Sequence, residues 1–126
     1  MMERGPVETT NIIKALLNQV FTEVYIINDD ELIFHREDGY DVVFYHDQDC
    51  CECVWIEEVC GDLSFLANTP ILMAEEYIHE QQQDEKWHDY YTYTFYKFAT
   101  IKGYVTVMWR GESNGYYSES VDMKVI

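Results

Sequence analysis

The residues best able to do chemistry stand together at His46-Asp47-Gln48-Asp49-Cys50-Cys51-Glu52-Cys53, with Cys60 just beyond. Histidine and cysteine at short spacing raise the question of zinc, which takes four tetrahedral nitrogen or sulfur ligands. The spacing opposes it. A zinc knuckle separates its cysteines by about two to four residues so that both thiolates turn onto one ion. Adjacent Cys50 and Cys51 on a strand would point to opposite faces, leaving Cys51 and Cys53 to share a side. A cysteine nucleophile with His46 as its base is opposed by charge, because Asp47, Asp49 and Glu52 would raise a nearby thiol pKa. The same three acids resemble the start of a calcium loop, but its glycine and closing glutamate do not follow. Phosphate-cradling glycine patterns, the G-x-S-x-G elbow and H-E-x-x-H are absent. The sequence thus predicts no catalytic residue, no metal site and no cofactor.

A second constellation is Gly111-Glu112-Ser113-Asn114-Gly115-Tyr116-Tyr117-Ser118-Glu119. Asn-Gly is the strongest two-residue hairpin signal. Two tyrosines beside Ser, Asn and Glu at its tip make a rigid amphipathic surface of the kind favoured at protein interfaces. The candidate partner-binding residues are therefore Asp47, Asp49, Glu52, Glu112, Ser113, Asn114, Tyr116, Tyr117 and Glu119.

Charge narrows the partner. Twenty-four Asp and Glu against eight Lys and Arg give a formal net charge of −16 in 126 residues. That field disfavours bare nucleic-acid phosphate and anionic membrane, and favours a basic protein surface. Tyrosines also stack on single-stranded nucleic acid, but that mode needs the cationic neighbours that are scarce here. With 16 % aromatics the chain is a folded acidic domain rather than an acidic tail. No apolar run approaches the ~20 residues of a membrane helix, and Met1 to Pro6 has no apolar leader segment. Four cysteines confined to positions 50–60 do not form a spread disulfide framework, which predicts reduced thiols, buried as small hydrophobes, in a cytoplasmic protein.

The elements that must position these residues read as one α+β domain over 1–126. Ile12, Ile13, Leu16, Leu17 and Val20 recur at helical spacing and predict an N-terminal helix over about 8–20, capped at Thr9 or Thr10. The period then changes to two. Segments 21–28, 31–36 and 41–47, separated by Asn28-Asp29-Asp30 and Asp38-Gly39, predict consecutive antiparallel strands. A strand over 51–59, a helical turn over 63–66 and an extended stretch over 71–80 follow, with a loop over 81–89. The β-rich segments 90–101, 104–111 and 116–125 complete a bent, mostly antiparallel sheet of about six to eight strands over 21–125. If Lys102-Gly103 closes one hairpin, Phe98 faces Val107 and Tyr96 faces Trp109. If Asn114-Gly115 closes the next, Ser113 faces Tyr116 and Arg110 faces Glu119. One face then carries Tyr96, Phe98, Val105, Val107 and Trp109, a core face.

Four stretches carry a resemblance: His46-x-Gln48-Asp49-Cys50-Cys51-Glu52-x-Val54-x-Ile56-Glu57, Gly61-Asp62-Leu63, Pro70-Ile71-Leu72-x-Ala74-Glu75-Glu76, and Thr94 through Val105 running on to Gly111 through Glu119. On these the chain resembles a family of small uncharacterised proteins found mainly in tailed-phage genomes and prophages. They lie between 41 and 123, and Cys53 stands outside the pattern. The resemblance implies a phage setting and no assigned activity. Taken with the charge, it predicts a non-enzymatic phage accessory protein that blocks a host nucleic-acid-handling or defence protein by mimicking nucleic acid. The alternative is a protein that sequesters a small ligand or uses a divalent metal, with Asp47, Asp49, Glu52 and tyrosines around a polar pocket. A homo-oligomer formed through the edge of the C-terminal hairpin, with Trp55 or Trp109 as a neutral patch, is a third reading.

Overall fold

A computed structural model describes residues 13–83, 86 and 89–126. Eight strands run in chain order through the described residues: β1 (Glu23–Ile27), β2 (Glu31–His35), β3 (Asp41–Tyr45), β4 (Cys53–Cys60), β5 (Met73–Gln83), β6 (Tyr90–Thr100), β7 (Gly103–Ser113) and β8 (Asp122–Val125), with a 3-10 turn at Leu63–Leu66 after β4. They form not one bent sheet but two four-stranded antiparallel sheets, ordered β1-β2-β3-β8 and β4-β7-β6-β5. The protein is mostly β. The predicted helix lies in part outside the described residues. Within them residues 13–15 are helical, and the chain turns at Leu16 to Asn18, where Asn18 has φ 67°. It then runs extended, so that Val20 bridges Pro70.

The strands follow from alternation and local turn chemistry. Asn28 and Asp29, at φ 51° and 59°, make the left-handed two-residue turn that suits a right-twisted hairpin, closed by Asp30 N–H on the Ile27 carbonyl at 3.1 Å. Gly39 at φ 86° turns the next hairpin, with its N–H on the Arg36 carbonyl at 2.9 Å. The β6–β7 hairpin closes one residue earlier than predicted, which shifts its cross-strand register by two. Phe98 faces Val105 and Tyr96 faces Val107, with Ile101-Lys102 in the turn. Gly103 serves packing instead, since a Cβ there would meet the Phe65 ring at 2.9 Å. A slip of two residues keeps every side chain on its face, so the predicted core face of Tyr96, Phe98, Val105, Val107 and Trp109 is buried as expected.

That face meets the other sheet through aromatic rings. Phe34 lies edge-on to Phe98 at 5.0 Å and Phe44 edge-on to Tyr96 at 4.8 Å, the geometry that ring quadrupoles prefer. Phe21, Leu32, Ile71 and Trp109 fill the space around them. Replacing Phe98 with alanine removes the ring that touches Phe34, Phe44 and Tyr96. The expected loss of unfolding free energy is ~3–5 kcal/mol, measured by urea denaturation. A loss below ~1 kcal/mol would show that the two sheets do not share this core.

Candidate functional site

The last predicted hairpin is absent. β7 pairs with β4 and β6, while β8 pairs with β3 in the other sheet, so residues 114–121 cross between sheets. Side chains have taken the hydrogen bonds that a hairpin ladder would use. Ser113 Oγ accepts from Gly115 N–H at 3.0 Å and Asn114 Oδ1 from Tyr116 N–H at 2.9 Å, the local turns that compete with strand pairing. Arg110 therefore meets Glu112 at 2.7 Å rather than Glu119. The other crossing is residues 46–52, from β3 to β4. Both candidate motifs are thus crossovers between the two sheets.

Each crossover is held by a buried carboxylate. Glu52 is 1 % exposed. Its Oε2 accepts from Asp49 N–H at 2.7 Å and meets His46 Nε2 at 2.7 Å, while Oε1 accepts from Cys50 N–H at 2.9 Å. Gln48 closes the loop from the other side, donating through Nε2 to the Cys50 and Glu52 carbonyls. Burial works to raise the Glu52 pKa, but the Asp49 N–H, the His46 ring and the Cys50 N–H together outweigh it and hold the carboxyl at about 2. His46 Nδ1 faces the Ser120 carbonyl at 2.6 Å. Both ring nitrogens of His46 thus face oxygen atoms, one in each crossover. Glu119, 5 % exposed, accepts from Thr92 Oγ1 at 2.7 Å, from Gln81 Nε2 at 2.9 Å and from Ser113 Oγ. Its main chain lies so close to β7 that a Cβ on Gly111 would come within 2.7 Å of the Glu119 carbonyl oxygen.

The two crossovers also touch each other. His46 reaches Ser120 and Asp47 N–H donates to Asp122 Oδ2 at 2.9 Å. The structure therefore brings the two predicted tips side by side, but sorts their residues. Glu52, Ser113 and Glu119 are buried; Asp47, Asp49, Asn114 and Tyr116 are exposed; Glu112 and Tyr117 are half-buried. Each of these buried carboxylates already accepts three hydrogen bonds from the chain around it, so Glu52 and Glu119 act as clasps.

The cysteines depart from expectation. Cys50 and Cys51 form a vicinal disulfide, because they sit in a bend rather than on a strand, so their side chains do not diverge. Cys53 and Cys60 are free and exposed rather than buried. Among the described residues no group of three or more His, Cys, Asp or Glu is placed to hold a metal ion, and no helix is long and apolar enough to cross a membrane.

Sequence reasoning missed a cavity of about 440 Å³ where β5 and β6 part from residues 117–122. Glu76, Glu119 and Asp122 line it, with Thr92 and Thr94 from β6. Burial lifts the Glu76 pKa against the opposing hydrogen bond from Tyr96 Oη at 2.7 Å. The alternation Ala74, Glu76, Ile78 along β5 was the available signal, since it places a glutamate on an inward face.

A family model described as a domain of unknown function, DUF7448, matches residues 14–123. The chain belongs to the DUF7448 family. No curated protein and no solved structure matches it. The family span takes in both crossovers and every strand but the last residues of β8, so the clasps described above fall within the DUF7448 domain.

Glu52 makes acid stability a direct readout of its clasp. A carboxyl with its folded pKa below the unfolded value contributes stability above the unfolded value, and loses it as pH falls through the folded one. Stability should therefore fall as pH drops from 4.5 towards about 2. Glu52→Gln should be less stable than the parent at neutral pH and less steep across that window. Thermal midpoints measured against pH check this, and parallel curves for the two proteins would contradict it.

Proposed function

We propose that this DUF7448 protein is a non-enzymatic phage accessory factor that docks onto a basic surface of a host nucleic-acid-handling or defence protein in the host cytoplasm, occupying a groove built for phosphates. The observation that carries the reading is where the cations go. Arg36 lies over the Tyr40 ring at 4.6 Å, Lys97 over Tyr77 at 5.0 Å and Lys124 over Tyr45 at 4.5 Å, while Arg110 lies between Tyr91 and Tyr93 at 4.7 and 5.1 Å. Lys102 Nζ donates to the Ala67 carbonyl at 2.7 Å. Of these five, two reach a carboxylate, Arg36 at Asp38 and Arg110 at Glu112. Four of these five cations thus lie on tyrosine faces, an interaction ring quadrupoles favour, and the chain's acids outnumber its bases by 24 to 8.

Exposed carboxylates at Asp29, Asp30, Asp47, Asp49, Glu57 and Glu58 then act together as a field on an approaching basic partner. Asp29 and the β4 pair are neighbours, since Ile56 N–H donates to the Asp29 carbonyl at 2.6 Å. The resemblance to phage proteins supports the setting, and the joined tips, with Asp47, Asp49, Glu112, Asn114, Tyr116 and Tyr117 at or near the surface, supply polar and aromatic contacts beside the charge. Glu52, Ser113 and Glu119 support those contacts from beneath.

Capture from host lysate at low and high salt tests the reading. The expected result is a nucleic-acid-handling partner retained at low salt and released at high salt, because exposed charge pairs are screened over ~10 Å at moderate ionic strength. The combined Asp47→Asn and Asp49→Asn variant should bind that partner about tenfold more weakly, mainly through slower association. A partner held equally at both salt levels, or none in stoichiometric amount, would sink the proposal.

A further inference from the structure

The cavity at the mouth of the sandwich is electrically one-sided. Glu76, Glu119 and Asp122 line it and no Lys, Arg or His among the described residues does. Glu119 is satisfied by three neutral donors. Among the described residues Glu76 receives one hydrogen bond, from the Tyr96 hydroxyl, and Asp122 receives one, from the Asp47 N–H. A carboxylate has about four lone-pair sites, so both keep acceptor capacity. Tyr96 is fully buried, and its hydroxyl is tied to Glu76 at 2.7 Å. Ile78 and Val121 are the aliphatic members of the lining, among Gln81, Thr92, Thr94, Tyr117, Ser118 and Ser120, and Ile78 is 59 % exposed.

These features select a ligand. Partly desolvated carboxylates without a countercharge exclude anions and attract cations. A hard metal ion wants six or more converging oxygens, and the described residues offer no such cluster. Carboxylates set along an apolar wall suit instead a cation that brings its own methylene chain, so that ammonium groups meet oxygen while the stem covers Ile78 and Val121. We propose that this cavity binds an aliphatic amine, with its ammonium groups held by Glu76 and Asp122. The inference does not rest on the docking reading, because it uses the carboxylates of this cavity and not the exposed acids of the docking surface.

Calorimetric titration of the full chain with 1,5-diaminopentane tests it, with 1,5-pentanediol as the neutral isostere. The expected result is saturable one-to-one binding of the diamine, no binding of the diol, and about tenfold weaker binding in Glu76→Gln and in Asp122→Asn. Glu57→Gln with Glu58→Gln, on the distant β4, should bind as the parent does. Thermal unfolding checks that each variant is folded, and if Glu76→Gln is not, Asp122→Asn decides. A capped lysine amide binding as tightly as the diamine would assign the site to a lysine side chain borne by a protein; weaker binding would assign it to a free amine. Equal weakening by the β4 substitutions, or heats that never saturate, would mean diffuse counterion attraction and would overturn the proposal.

Discussion

The buried pair of His46 and Glu52 is the constraint on which the rest of the molecule depends. Two sheets that share one core of side chains need their connections fixed, or the aromatic layer between them would slide. Glu52 gathers the N–H groups of its own loop, and His46 carries the restraint across to Ser120 in the other crossover. Removing one partner of such a pair leaves the other charge buried and uncompensated, a far larger cost than the pair's net contribution. The motif is therefore explained by architecture before any binding partner is invoked.

Glu119 repeats the device with neutral donors. Its partners come from β5, β6 and the end of β7, so one carboxylate stitches three strands to the crossing chain. A protein with so large an acidic excess thus has two kinds of carboxylate. A few inside accept three hydrogen bonds each and set geometry, and the many outside face water and set the field.

Much of the fold was legible in the sequence, because the signals involved are local. Alternation at Tyr96-x-Phe98 and Val105-x-Val107-x-Trp109 marked the core face even though the hairpin register differs by two residues from the expected one. The turns at Asn28-Asp29 and Asp38-Gly39 declared themselves through residues that tolerate positive φ. What was not legible is non-local. Inward-facing residues look alike whichever sheet holds them, so one sheet could not be told from two. Asn114-Gly115 read as a hairpin because the donors that redirect it include Gln81 and Thr92, 38 and 27 residues from Glu119. The buried glutamates were read as contact residues because nothing adjacent in sequence distinguishes a clasp from a solvated acid. The cavity escaped notice for the same reason, being assembled from β5, β6 and a crossover.

The pairing of β8 with β3 carries a kinetic consequence. β1, β2 and β3 form consecutively, yet the strand that completes their sheet lies at residues 122–125, opposite residues 42–45. Closing so long a loop must precede any reward from the contacts it permits, and topologies dominated by distant pairings fold slowly. On the ribosome the first three strands would wait, with Phe34 and Phe44 uncovered and the free edge of β3 open, until nearly eighty further residues had been made. The charge that surrounds those strands would then act during synthesis as well as afterwards, keeping half-made chains apart while the last strand is still missing.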